Sequence, residues 1–351
     1  MCWTDNPKRV LIVRPSALGD VCRTVPALVT LRHTLPSARI DWLVNETFAD
    51  AVVAHRDLNG VIKFPRDRFA AMWRRPWRLR EAIAWSRRLR GPGYDLAIDL
   101  QGLFRSGLFT RLTRAPQRVG YANARETAHR AYNSGHHVDG NLHAVDRMLA
   151  LLAAEGCQPQ HDLRLYLADA DAQWGERYLL QHIGEDEPFV TIAPTARWRC
   201  KCWPIDSYIT IAKRLLDAGH LGRRIIALSA PDERANAQPL VDALGDRVLF
   251  PVTTVGQMMA VVSRATLLLC NDSAPLHVAV GFNRPIVTIF GPTDPSLVGP
   301  YRRGETVVQP PGIDHMNLSR YRRHRDDQSL ISRVSVEMVW DKLIEQVESR
   351  H

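Results

Sequence analysis

The order of apolar and polar positions sets a regular rhythm along the chain. Lys8–Arg14 is a short apolar run rich in β-branched residues, Pro15–Asp20 a loop of small and polar residues, and Val21–Thr34 a stretch of helical character. Further strand-like runs at Ala38–Val44, Gly60–Phe64 and Tyr94–Leu100 alternate with helix-like segments, the longest at Arg66–Arg90. Between about 155 and 187 the pattern weakens into polar, turn-rich sequence, and then it restarts. Strands are predicted at Phe189–Ala193, Arg224–Leu228, Arg247–Phe250, Ala265–Cys270 and Pro285–Phe290. Helices are predicted at Ile205–Ala218, Asp232–Leu244, Val255–Ser263 and Ser335–Glu348. Strands that are apolar throughout, rather than alternating, are buried on both faces, as in a parallel sheet covered by helices. The expected architecture is therefore α/β: two Rossmann-like domains facing each other across a cleft, with ligands at the carboxyl ends of the strands. The predicted bounds are 1–170 and 171–332, followed by a terminal helical segment, 333–351, expected to pack back on the N-terminal domain.

Composition narrows this picture. The chain has 351 residues, 45% hydrophobic and 24% charged, as expected of a globular protein of two domains. No apolar run approaches the roughly 20 residues that span a bilayer. The apolar stretch Val10–Val13 near the start is too brief for a signal-peptide core, which gives a cytoplasmic expectation. Of the six cysteines only Cys200 and Cys202 are close, with no second pair to complete a zinc site, so all are read as reduced thiols. The net charge of +9 fits nucleic acid, anionic lipid or anionic metabolites as partners.

Three loops at predicted strand ends carry candidate chemistry. In Ser16-Ala-Leu-Gly-Asp20, the carboxylate of Asp20 is placed either to take a proton from an acceptor hydroxyl or to cap the following helix. The loop lacks the G-x-G-x-x-G spacing, which disfavours a dinucleotide-dependent oxidoreductase. After Phe189–Ala193, a cluster of Thr195, Arg197, Arg199 and Lys201 suits a diphosphate leaving group, or else forms a solvated basic loop. After Ala265–Cys270, Asn271-Asp272-Ser273 opens a helix of small residues. Its first amides make an anion site, to which Ser273 adds a hydroxyl and His277 a ring nitrogen. Capping by the same residues is compatible with that role.

Several blocks occur in the order of one family: Gly19-Asp20, Tyr94–Gly102, His143-Ala-Val-Asp-Arg147, Lys201-Cys-Trp-Pro204, Asn271–His277 and Phe290-Gly-Pro-Thr293. Together they resemble the heptosyltransferases of glycosyltransferase family 9. The resemblance implies a GT-B fold and inverting transfer from ADP-heptose to the inner core of lipopolysaccharide, onto a Kdo-lipid A or heptosyl acceptor. It implies no cofactor and no metal, and the chain also lacks the Asp-x-Asp pattern of many metal-dependent transferases. It makes Asp20 the catalytic base and Lys201 the lysine on the donor phosphate. Thr195 becomes a phosphate-loop hydroxyl, Asp272, Ser273 and His277 the diphosphate turn, and Glu233, with Asp232 as competitor, the acid on the ribose. Ala274-Pro275 departs from the glycine usual there, and Trp198 and Cys200 stand where the family is more polar.

The segment Arg66–Arg90 holds nine arginines against two acids, Asp67 and Glu81, with Trp73, Trp77 and Trp85 interleaved. Trp73, Arg74, Arg75, Trp77 and Arg78 are the expected contacts to a phosphorylated glycolipid acceptor and to the cytoplasmic face of the inner membrane. The alternative is a helix whose tryptophans enter the core. A nucleic-acid-binding protein or a silent sugar-nucleotide module are the rivals of another class. The first lacks any reader motif.

Overall fold

The computed structural model describes residues 3, 6–70, 78–219, 221–313 and 324–348. The chain forms two compact units, Met1–Tyr166 and Leu167–His351, a few residues before the predicted boundary. In the first unit the strands are β1 (Arg9–Val13), β2 (Arg39–Asn45), β3 (Gly60–Phe64), β4 (Leu96–Asp99), β5 (Gln117–Tyr121) and β6 (Ser134–His136). They make one parallel sheet in the order β3-β2-β1-β4-β5-β6. In the second unit they are β7 (Val190–Ala193), β8 (Ile225–Ala227), β9 (Val248–Leu249), β10 (Leu267–Asn271), β11 (Ile286–Ile289) and β12 (Val307–Val308). Their order, β12-β11-β10-β7-β8-β9, is the same doubly wound arrangement. Each sheet thus reverses strand order once, between β1 and β4 and between β7 and β10, and such a switch point opens a crevice for ligands.

The reason for these sheets lies in alternation. Leu11, Val13, Leu43 and Ala97 point to one face of the first sheet, where Phe64, Leu89, Tyr94 and Phe109 cover them. Val10, Ile12, Ile40, Trp42 and Ile98 are equally buried on the other. In the second sheet Val190, Ile192, Leu267, Leu269, Val287 and Ile289 join Tyr208, Ile211 and Leu215 of the helix Ile205–Ala218 in one core.

The predicted helix Val21–Thr34 is two helices, Leu18–Arg23 and Val25–Thr34, meeting at Thr24, with Pro26 tolerated in the first turn of the second. The stretch read as a weak junction holds the helix Asp169–His182, whose Gly175 lies so close to Ala260 that an added Cβ would sit 2.7 Å from its methyl. The terminal helix Val336–Glu348 buries Val339 and Leu343, one turn apart, in the second unit's core beside Ile289 and Val308. Its apolar stripe is filled there. Among the described residues no helix is long and apolar enough to cross a membrane. Among the described residues, Cys22, Cys157, Cys200, Cys202 and Cys270 form no disulfide with one another.

Candidate active site

In the first unit, β1 delivers the chain into Arg14–Ala17 and the helix Leu18–Arg23 at the switch point. Asp20 stands in the first turn of that helix and accepts from the Ala17 N–H at 3.1 Å, closing the helix start from within. Its carboxylate also takes the Arg23 guanidinium and, at 3.2 Å, that of Arg14, which in turn donates to the Leu100 carbonyl after β4. The Arg14 and Arg23 side chains are 11% and 9% exposed against 29% for Asp20, so the carboxylate reaches solvent while its cations do not. Burial pushes the Asp20 carboxyl up, but Arg14, Arg23 and the Ala17 amide outweigh it and hold the group well below the usual carboxylate range.

Beside it Asp99, fully buried at the end of β4, accepts from the Gln101 and Gly102 amides at 2.8 and 3.0 Å and from the Tyr132 hydroxyl at 2.7 Å. These bonds fix the loop after β4. Gly120 makes room for the tyrosine: a Cβ there would lie 2.4 Å from the Tyr132 ring.

In the second unit the candidate residues lie on loops that follow four neighbouring strands. Thr195 and Lys201 follow β7, Glu233 follows β8, Asp272 to His277 follow β10, and Thr293 follows β11. Fully buried Asn271 ties the edge together. Its Oδ1 accepts from the Trp203 N–H at 3.0 Å and the Tyr208 hydroxyl at 2.9 Å, and its Nδ2 donates to the Pro194 carbonyl at 2.8 Å. The short helical turn Arg199–Lys201 is braced from the far side. Cys200 N–H donates to the Arg325 carbonyl at 2.8 Å, while Gln328 accepts from Arg199 at 3.0 Å and donates to the Cys202 carbonyl at 2.9 Å.

Lys201 Nζ lies 2.5 Å from the Asp272 carboxylate, which also accepts from the Thr293 hydroxyl at 2.7 Å. Burial works to raise the Asp272 pKa, but Lys201, Thr293 and the nearby His277 together leave it below its ordinary value. Asp272, predicted as part of the anion-binding turn, is paired with Lys201 there. Ser273 N-caps the helix Ala274–Gly281 without a side-chain bond, and its Oγ is buried with no hydrogen-bond partner among the described residues. That hydroxyl and the uncapped first amides form a set of donors waiting for an acceptor. His277 is 6% exposed in the same helix.

Thr195 and Glu233, predicted separately for phosphate and ribose, are close enough for the threonine to favour the ionised Glu233 carboxylate. Burial raises the Glu233 pKa. The competitor Asp232 is exposed, whereas Glu233 is half-buried at the edge. Trp73, Arg74, Arg75 and Trp77 lie outside the described residues, as does the side chain of Arg78, which opens the helix Arg78–Arg90. Trp85, from the same Arg and Trp segment, is half-buried against the core: its ring packs edge-on to Phe64, Phe69 and Phe109, and its N–H donates to the Lys63 carbonyl at 2.9 Å. Sequence reasoning gave no role to Arg14 or Arg23 and no specific one to Asn271 and Thr293, which it named only within their motif blocks. Arg23 carried a local signal, three residues after Asp20 on a helix.

Against known proteins, residues 82–322 match the family described as glycosyltransferase family 9 (heptosyltransferase). The chain is 30% identical over 305 residues to lipopolysaccharide heptosyltransferase 1 of Pseudomonas aeruginosa, covering 85% of this chain and 82% of that one. It is 29% identical over 321 residues to the protein of the same name from Escherichia coli K12, covering 89% and 96%. Among solved structures, E. coli heptosyltransferase WaaC with ADP-2-deoxy-2-fluoro heptose superposes with a TM-score of 0.75 at 27% identity, over 96% of this chain and 99% of that one.

Proposed function

The chain belongs to glycosyltransferase family 9, and we propose that it transfers a heptose from ADP-heptose to a hydroxyl of the lipopolysaccharide inner core, with inversion at the anomeric carbon. It is a glycosyltransferase of the GT-B class. The names of its relatives, lipopolysaccharide heptosyltransferase 1, support the product, and the fluoro-heptose nucleotide held by WaaC supports the donor. The observation that carries the reading is the donor cradle: a lysine aimed by Asp272 and Thr293, beside an unpartnered Ser273 hydroxyl at a helix start.

In this reading the acceptor oxygen attacks the anomeric carbon, a new C–O bond forms, and the bond to the diphosphate oxygen breaks. ADP leaves with the electron pair, and the acceptor proton passes to Asp20. Lys201, Ser273 and the first-turn N–H groups of the helix Ala274–Gly281, among which Pro275 supplies none, meet the negative charge growing on the diphosphate. Glu233 accepts from the ribose hydroxyls. Because two guanidinium groups hold Asp20 ionised, it is a weak base toward a neutral hydroxyl. Proton transfer then belongs late in the step, after the sugar has gained positive charge that the same carboxylate stabilises. These donors account for the leaving group without a metal. The acceptor is the phosphorylated glycolipid Kdo-lipid A on the cytoplasmic face of the inner membrane, with Trp73, Arg74, Arg75, Trp77 and Arg78 as its contacts.

The test is a thermal-shift comparison of ADP, UDP and GDP, followed by transfer from ADP-heptose to Kdo-lipid A read by product mass, with and without EDTA. Selective stabilisation by ADP and chelator-insensitive transfer are expected. Stabilisation by UDP alone, or acceptor mass unchanged after prolonged incubation, would overturn the reading.

A further inference from the structure

The block His143-Ala-Val-Asp-Arg147 has no role in the chemistry above, and its arginine is placed unusually. Arg147 lies in the first turn of the helix Ala144–Ala154, where the helix dipole disfavours a cation. It forms no ion pair with a described residue, and its Nε is buried without a hydrogen-bond partner. The guanidinium stands 5.7 Å from the centre of the Tyr121 ring, at the end of β5. Tyr121 is 4% exposed, yet its hydroxyl makes no hydrogen bond to any described residue. Burial raises its pKa to about 12, so it stays a donor. The charged groups acting on this phenol are Arg14, Arg147 and Asp99, two cations against one anion. Arg14 has a buried unpartnered Nε of its own, and its other end holds Asp20. An unpartnered phenol hydroxyl, two buried guanidinium Nε atoms without partners and a surplus positive charge mark an anion site.

We infer that Arg147, Arg14 and the Tyr121 hydroxyl bind a carboxylate on the acceptor sugar and so fix which hydroxyl faces Asp20. A planar guanidinium fork suits a carboxylate, and a single surplus charge matches its single charge better than the nearly doubled charge of a phosphate monoester. Arg14 spans both the proposed subsite and the base, so the anion belongs to the attacked sugar or its immediate neighbour. The inference rests on the transferase reading, and Arg147 and Tyr121 act in it as specificity-determining contacts.

The test compares the wild type with Arg147→Gln and Tyr121→Phe on three acceptors: Kdo-lipid A, its carboxamide, and its dephosphorylated form. Tyr121→Phe removes one oxygen that makes no bond within the described protein, so it tests the site without disturbing the fold. The carboxamide should lower wild-type kcat/KM by about tenfold to a hundredfold. Arg147→Gln should lose as much on the native acceptor, with KM for ADP-heptose unchanged, and lose little more on the carboxamide. Equal losses by Arg147→Gln on acid and amide, or a loss that follows the phosphates instead, would overturn the assignment. Binding of the free sugar acid, read by ligand-observed NMR, separates this inference from the transferase reading. If no transfer occurs, wild type binding the acid but not its amide, with Arg147→Gln binding neither, still supports the subsite. Equal binding of acid and amide by the wild type sinks it.

Discussion

Asp20 and Asp272 are both held ionised by cations, yet the consequences of removing each charge differ. Asp20→Asn keeps the shape and loses the proposed proton acceptor, so turnover should fall by about two orders of magnitude, while ADP binding measured by calorimetry stays nearly unchanged. An unchanged turnover would show that another group takes the proton. Its two arginines also predict a pH profile. With the Asp20 pKa below the usual range, its protonation adds no acid limb to kcat/KM above about pH 4. An acid limb near neutrality that moves in Asp20→Glu would contradict this. Stability follows the same sign: both carboxylates have folded pKa values below their unfolded ones, so their contribution is present above about pH 4 and is lost as pH falls through the folded values. Lys201→Ala removes the contact proposed for the diphosphate and strands Asp272 at 8% side-chain exposure. ADP affinity should drop by roughly tenfold or more together with turnover. Asp272→Asn, which frees the lysine without removing it, should cost less affinity than Lys201→Ala in the same titration.

At the scale of elements, the second site depends on Asn271 holding three strand-end segments at once. Asn271→Ala deletes the bonds to Trp203, Tyr208 and Pro194 and leaves buried polar groups unpaired, which should cost about 2–4 kcal/mol and lower Tm by several degrees in calorimetry. A variant melting like the wild type would remove Asn271 from this role. The same elements show what was legible in the chain. The central strands β1, β2, β4, β7, β10 and β11 were readable because burial on both faces leaves an apolar run. The outer strands β5, β6 and β12 were not: Gln117-Arg-Val-Gly-Tyr121 and Ser134-Gly-His136 carry polar or glycine residues, and Val307–Val308 is too short to register. The helix Asp169–His182 was passed over because it buries only Gly175 and Leu179 and so lacks a broad apolar stripe. Amphipathicity identified the terminal helix Val336–Glu348 but not its partner, since a stripe states that something covers it and not what. For the site, loops at strand ends were found from topology alone. The pairing of Lys201 with Asp272, 71 residues apart, depends on two loops converging at a switch point, which no local pattern encodes.

For the molecule as a whole, the excess of positive charge bears on where it works. A net charge of +9 supplied almost entirely by arginine, with nine arginines in 66–90, is a long-range attraction toward any anionic surface. Trp85 shows that one of the interleaved tryptophans serves the core, which leaves Trp73 and Trp77 as the aromatic candidates for an interface. If the segment docks on lipid, binding to vesicles containing anionic phospholipid should exceed binding to neutral vesicles and weaken steeply from low to physiological salt. Each arginine near such a surface contributes roughly 1 kcal/mol, so replacing Arg74, Arg75 and Arg78 together by glutamine should reduce vesicle partitioning by about a hundredfold. Transfer to a deacylated, water-soluble acceptor separates the two roles proposed for this segment. Unchanged soluble-acceptor kinetics with lost vesicle binding assigns these arginines to the membrane; a parallel loss of both assigns them to the acceptor's phosphates. Vesicle binding indifferent to salt and to the triple substitution would mean that the charge serves neither, and that the segment packs as the helix Arg78–Arg90 already does around Trp85.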